Sequence, residues 1–416
     1  MPADTTRKST RLGSRKVAVD DLRPGMFVCK LDRDWLETPF LLQGFRIEHA
    51  SDIAKLREYC RYVWIDVAEE VWEGVGHEST HPQDPGRRQI HAIKQSAQAE
   101  HARARKIYDT SRTVTKNLLT KASSGPPIAF DQAESTVQHC VDSILSNPDA
   151  LLWMSKIRDQ DEYTAEHCLN VCILAIAFGR HLQLAEQQLF QLGMAGLLHD
   201  VGKMRVPSEI LNKPGELSEK EMRAMRAHVV HGRNLLQQTP NIAKQVIEAA
   251  HAHHERLDGG GYPRKLDATD IGKITRLISI VDTFDAITSH RCYAPARPVT
   301  EALRILYEAR GSQFDEALVL EFIQFIGLYP PGSIVELENG MVGLVIATNE
   351  EAHHLPKIIK VCGPDKQPCE QEFLDLSLTR SGELGRDHLI RQLHVDGSFG
   401  IFIRDFKARG LSFAIG

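Results

Sequence analysis

Seven residues with metal-binding side chains stand at five separate places in this chain: His167, His199–Asp200, His228, His253–His254 and Asp282. Imidazole nitrogen together with carboxylate oxygen is a donor set that first-row divalent metals accept. Two such ions side by side activate a water and neutralise the charge that builds on a phosphate ester during attack. The chemistry these residue types point to is therefore metal-assisted phosphoester cleavage. The rest of the chain must bring them together.

Taken singly the signals are weak. A lone helical histidine such as His167 or His228 is more often a core or surface residue than a ligand, and Asp282 would serve equally well to pair with an arginine. The adjacent pair His253–His254 before a glycine-rich break, and the His199–Asp200 dipeptide closing an apolar run, say more. His181, His231 and His251 lack such context. Neighbouring helical residues point about 100° apart, so His199 and Asp200 reach one ion only where their helix meets a pocket. Lys203 follows His199 by four residues, on the same helical face. A bare carboxylate at Asp282, inside ITRLISIVDTFDAI, would be costly without a partner.

The elements that must carry these residues are helices. From about residue 131 to 329, apolar residues recur three and four apart, with breaks at Asn147-Pro148, Lys213-Pro214-Gly215, Thr239-Pro240 and Asp258–Gly261. The pattern predicts an all-α domain of roughly seven helices. The stretch Glu219–Leu236 reads as one helix, and Asp161–Leu182 as an amphipathic one.

On either side the character differs. Residues 1–16 are basic and polar, with no apolar core of a signal peptide. Residues 17–72 alternate short apolar strands with turns around a helix at 51–59, a small α+β module. Residues 73–130 read as a linker followed by an exposed bridging helix over 87–121. Residues 330–416 open with Pro330-Pro331-Gly332 and carry Asn339-Gly340 between two β-branched runs, a hairpin signal; LPKIIKVC and residues 398–406 add strands to a β-rich appendage. The expected fold class is multi-domain: an all-α catalytic domain between an α+β module and a β-rich appendage.

Composition narrows the partners. The net charge of −5 over 416 residues gives no support for binding a polymeric nucleic acid, so an anionic substrate must be drawn in by local charge. The eight cysteines are scattered without a CxxC pair, which suits reduced thiols in a cytoplasm. The longest apolar run, Val171–Phe178, is far short of the roughly 20 residues of a membrane span.

At its motifs the chain resembles the HD-GYP family of cyclic di-GMP phosphodiesterases. The matching strings are DEYTAEH (161–167), HDVGK (199–203), His228 in MRAHVVHG, HHERLDGGGYP (253–263) and VDTFDAITSHRCY (281–293). The N-terminal region also resembles a module found ahead of such domains in bacteria. The resemblance implies that His167, His199, Asp200 and Asp282 hold one ion, and that Asp200, His228, His253 and His254 hold a second. A hydroxide between the ions would then attack the phosphodiester. Lys203 would contact the scissile phosphate, Gly261 and Tyr262 of the Gly-Tyr-Pro signature would approach the nucleotide, Arg291 would bind phosphate or base, and Asp161 and Thr164 would stand near the centre.

Two departures carry consequences. Tyr163 stands where some relatives have a glutamate that helps hold a third ion, so a two-metal site is expected, with iron or manganese favoured over zinc or nickel. Ala294 follows Arg291-Cys292-Tyr293 where the family often has a basic residue, which puts substrate affinity and cleavage beyond linear pGpG to GMP in doubt. The competing readings are a non-catalytic cyclic di-GMP receptor that relays binding to a partner protein, and an HD-type phosphohydrolase for another nucleotide. Sequence leaves open whether the chain works as a homodimer or with a signalling partner.

Overall fold

The computed structural model describes residues 8–33, 44–47, 49–72, 91–123, 127–156, 163–289, 296–349, 352, 354–403 and 405–406. The chain opens with strands β1 (Lys8–Ala18), β2 (Phe27–Leu31) and β3 (Phe45–Arg46), helix α1 (Ala50–Tyr59) and strand β4 (Tyr62–Trp72). The strands form one antiparallel sheet in the order β1-β4-β2-β3. Ile53 and Leu56 of α1 close its core over Val28, Leu31, Val63 and Ile65. Gly25, in the turn signalled by Arg23-Pro24-Gly25, has φ +91°, a left-handed conformation that favours glycine. This much follows the sequence pattern.

The helices come next: α2 (Ala97–Ser123), α3 (Phe130–Ser146), α4 (Pro148–Met154), α5 (Tyr163–His181), α6 (Glu186–Leu198), a 3-10 turn at Val201–Arg205, α7 (Ser208–Leu211), α8 (Glu219–Arg226), α9 (His228–Gln237), α10 (Lys244–Ala252), α11 (Lys273–Thr288), α12 (Val299–Glu308) and α13 (Glu316–Ile326). Their boundaries have local causes. Asn147 accepts the Asp149 N–H at 3.0 Å with Pro148 in the first helical position, so α3 stops and α4 starts there. Ser218 and Glu221 cap α8 reciprocally. The single helix expected over 219–236 breaks at Ala227, and His228 thereby opens α9.

α5 is not amphipathic. Its residues from Ala165 to Phe178 are all buried, which makes it the central helix that the others surround. Gly196 of α6 lets that helix press against it: a Cβ there would lie 2.8 Å from the Cys172 Cα. Nor is α2 an exposed bridge. Ala104, Tyr108, Ser111, Thr115, Leu118 and Leu119 are buried in the helical unit. Small residues at helical spacing fill that face, so a sparse apolar count misleads. Its buried Glu100 is met by the hydroxyls of Ser143 at 3.0 Å and Ser146 at 2.8 Å.

The C-terminal strands β5 (Ile334–Leu337), β6 (Val342–Ala347), β7 (Lys357–Cys362), β8 (Pro368–Asp375) and β9 (Ile390–His394) form an antiparallel sheet in the order β8-β7-β6-β5-β9. The Asn339-Gly340 turn joins β5 to β6, with Gly340 at φ +82°. Among the described residues the last strand is Ile390–His394 rather than the expected 398–406, at whose start left-handed backbone at Gly397, Phe399 and Gly400 breaks the extended conformation.

The chain divides into two compact units, His91–Phe325 and a second made of Met1–Ile90 with Ile326–Gly416. The segments read as a separate module and appendage thus share one unit. Arg46 pairs with Glu338 at 2.7 Å, and the half-buried Asp66 and His354 side chains meet at 3.2 Å. Among the described residues no helix is long and apolar enough to cross a membrane.

Candidate metal centre

Five pieces of the helical unit deliver the seven residues. His167 lies in the first turns of α5, and His199 and Asp200 end α6 where it passes into the 3-10 turn. His228 opens α9, His253 and His254 follow α10, and Asp282 comes from the middle of α11. Asp200 has left helical geometry (φ −104°, ψ 9°), which lets the adjacent His199 and Asp200 serve one locus. Gly202 makes the next step possible: a Cβ there would sit 1.9 Å from the His228 carbonyl oxygen. The 3-10 turn can therefore lie directly on α9 and bring His228 to Asp200.

The seven side chains converge. His167 Nε2 is 3.1 Å from Asp282 Oδ1 and 3.6 Å from Asp200 Oδ2, and His199 Nε2 is 3.2 Å from Asp200 Oδ2 and 3.8 Å from Asp282 Oδ1. The other oxygen of Asp200 faces the other way: Oδ1 is 3.3 Å from His228 Nε2 and 3.7 Å from His253 Nε2. His254 completes that second group, with donor atoms of His228, His253 and His254 all within 4.8 Å of one another. One aspartate thus separates two sets of imidazoles.

The rings are fixed from behind. His199 Nδ1 lies 2.8 Å from the Gly196 carbonyl, His228 Nδ1 lies 2.8 Å from that of Met225, and His253 Nδ1 lies 3.2 Å from that of Ala249. A carbonyl only accepts, so in each ring Nδ1 donates to it and the ring turns Nε2 toward the centre. His167 Nδ1 is 2.8 Å from the Asp285 carboxylate, itself bonded by Ser289 at 3.2 Å. His199 Nε2 and Asp200 Oδ1 are buried without a hydrogen bond, although both sit among close donor atoms. Buried polar atoms are rarely left so, and cations held on the two sides of Asp200 would satisfy them. The donor set therefore fits divalent metal ions.

Charge separates the two sides. Burial alone would lower His199, but Asp200 and Asp282 outweigh it and push the imidazole up to about 10. The locus between these acids attracts a cation. Burial is also the largest influence on Asp200 and Asp282 and opposes their ionisation. It is overcome in Asp200 by Lys203 and His199, and in Asp282 by His167 and His199, so both carboxyls stay well below the usual range. On the other side burial prevails: His228 falls to about 4 despite Asp200, and His254 falls well below its ordinary value. Both remain neutral imidazoles, the form that ligates metal.

Other expected site residues stand beside the ligands. Lys203 Nζ bonds Asp200 Oδ2 at 2.5 Å, at the edge of the ligand cluster. Tyr262 stacks on His254, with ring centroids 4.8 Å apart at 26°, and the Arg226 guanidinium lies 5.0 Å from the tyrosine centroid. Tyr262 thus supports a ligand ring. At Gly261 a Cβ would lie 2.5 Å from both the Glu255 Cα and the Arg256 N, so this glycine serves close packing within its own loop. Asp161 and Arg291 lie outside the described residues.

Sequence reasoning missed two buried carboxylates. Asp285 stands three residues after Asp282 on the same face of α11, and that spacing was the available signal. Glu255 follows the histidine pair and accepts the backbone N–H groups of Arg264 at 2.7 Å and Leu266 at 3.0 Å, closing the loop that carries Gly261 and Tyr262.

Residues 144–318 match the HD domain family, and residues 14–133 match a domain of unknown function, DUF3391. The chain is 32% identical to the cyclic di-GMP phosphodiesterase PA4108 of Pseudomonas aeruginosa, over 89% of this chain and 91% of that protein. It is 36% identical to the 3'3'-cGAMP-specific phosphodiesterase 3 of Vibrio cholerae, over 40% of this chain and 36% of that protein. It is 41% identical to the cyclic di-GMP phosphodiesterase response regulator RpfG of Xanthomonas campestris, over 33% of this chain and 37% of that protein. A full-length relative and an intact cluster of histidines and aspartates together place the chain in the HD-GYP family of cyclic di-GMP phosphodiesterases.

Proposed function

We propose that this chain hydrolyses cyclic di-GMP to linear pGpG, with Asp200 shared between two divalent cations. The observation that carries the reading is the orientation of Asp200: Oδ2 faces His199 and His167, while Oδ1 faces His228 and His253. His167, His199 and Asp282 complete one ligand set; His228, His253 and His254 complete the other. Iron or manganese is the favoured pair. When bound, such ions supply an activated water and neutralise charge on the phosphate.

The chain's own groups do the rest. Asp200 sets the spacing of the two ligand sets. The carbonyls behind His199, His228 and His253, and the Asp285 carboxylate behind His167, hold the Nε2 atoms in place before substrate arrives. Lys203, at the edge of the cluster, places a cation where a phosphate oxygen of the substrate would come. Tyr262 keeps His254 from rotating.

The retained ligand set favours an enzyme over a receptor. The names of the Vibrio relatives make 3'3'-cGAMP the substrate to test beside cyclic di-GMP. Metal-loaded protein is expected to turn over cyclic di-GMP, and His199→Ala and Asp200→Ala to lower the rate by more than the roughly 10–100-fold that losing an outer support of a ligand costs. Binding of cyclic di-GMP without turnover would assign the receptor role instead. Preference for 3'3'-cGAMP would move the substrate while keeping the chemistry.

A further inference from the structure

Outside the ligand cluster, α9 and α10 leave a groove of about 390 Å3 lined by Arg233, Gln237, Lys244, Glu248, His251 and Arg264. That size falls in the range of small-ligand sites, about 300–1,000 Å3. Arg233 and Gln237 are one turn apart on α9, and Lys244, Glu248 and His251 share one face of α10. Arg264 reaches in from the loop that follows Tyr262-Pro263. Three cations thus surround one carboxylate, in a chain whose net charge is −5.

The one carboxylate is already engaged, because Glu248 pairs with Arg264. Among the described residues, Arg233 and Lys244 make no ion pair. His251 is 7% exposed, and its Nδ1 has no hydrogen-bond partner. Arg233 and Arg264 line the same groove as this ring. Unbalanced positive charge around a buried ring with unmet hydrogen-bonding capacity is the setting in which an anion binds favourably. Two guanidinium forks can each hold a pair of oxygens, and an ammonium adds a point charge.

We propose that this groove between α9 and α10 binds a phosphate monoester of nucleotide size, at a site separate from the metal centre. A compact dianion matches the charge, and the volume leaves room for a nucleoside beside Ile247. The proposal stands apart from the catalytic reading, since binding here needs neither metal nor turnover.

The test is calorimetric titration of the full, metal-loaded chain with inorganic phosphate and with 5′-GMP. Phosphate also suits a metal centre, so the titrations are repeated in Asp200→Asn. Binding is expected to persist in that variant, and adding Arg233→Gln with Lys244→Gln is expected to weaken it tenfold or more. The Arg233→Gln, Lys244→Gln protein with Asp200 intact should keep its turnover of cyclic di-GMP, which shows that it folds. Tighter binding of 5′-GMP than of phosphate supports a nucleotide monoester as the ligand; affinity for phosphate equal to that for 5′-GMP would overturn it in favour of the bare anion. A second readout is the His251 ring proton in NMR, which should shift on adding phosphate and vanish in His251→Gln. No binding in Asp200→Asn, or an affinity that ignores the loss of Arg233 and Lys244, would overturn the proposal.

Discussion

A histidine with a carboxylate on each side is the smallest unit of this site. His167 stands between Asp282, 3.1 Å from Nε2, and Asp285, 2.8 Å from Nδ1. The first faces the centre and the second fixes the ring from behind. Asp285→Asn keeps the shape and removes the charge, so the ring is left with a weaker, neutral amide acceptor and loses some of its basicity. Losing such a support costs about 10–100-fold in metal affinity. Titration against a competing chelator is expected to show that drop, with cyclic di-GMP turnover restored by excess metal. An unchanged affinity would make Asp285 merely structural. The position was readable from sequence only as a second acid in VDTFDAI, because nothing in a string of letters says which of two acids faces the metal.

Elements set where these residues arrive. The 3-10 turn rests on α9 only because Gly202 has no side chain, its Cβ position lying 1.9 Å from the His228 carbonyl. Gly202→Ala must push the two elements apart, and such overpacking costs about 1–3 kcal/mol. A lower thermal midpoint together with weaker metal retention is the expected outcome, since His228 moves with α9; a stable variant with full metal content would refute the packing argument. Helix α2 offers a pH test. Burial, with Arg105 second, pushes His101 down to about 4, against about 6.5 for an unfolded imidazole. Between those values the unfolded chain takes up a proton that the native chain refuses, so stability falls as pH drops through 6.5 toward 4 and is unaffected above. Urea unfolding at pH 7.5 and pH 5 should show a smaller loss in His101→Gln than in the parent chain. Equal losses would place the titration elsewhere.

At the scale of the molecule, the two compact units have separate cores, and all seven ligands lie in His91–Phe325. Calorimetry is expected to resolve two unfolding transitions, only one of which responds to a chelator. A metal at 100 times its dissociation constant stabilises by about 2.7 kcal/mol. For a unit of roughly 235 residues that is a shift of roughly 5–10 °C. If removing metal left both transitions in place, the cluster would not bind metal. The partition also shows where sequence reading fell short: the segments at the two ends read as independent modules, because pairs such as Arg46–Glu338 and Asp66–His354 join residues hundreds of positions apart.

Much of the chemistry was fixed by residue type and local spacing alone. The period of the apolar residues determined the helices, Asn339-Gly340 determined a hairpin, and the repeated histidines and aspartates determined the donor set, because each of these is a property of neighbours in the chain. Tertiary structure alone decided that Asp200 turns its two oxygens toward different histidines, that Tyr262 backs His254, and that α2 lies in a core. Those outcomes depend on contacts between distant segments, made possible by missing side chains at Gly196 and Gly202. The absence of an atom becomes informative only when something packs into its place.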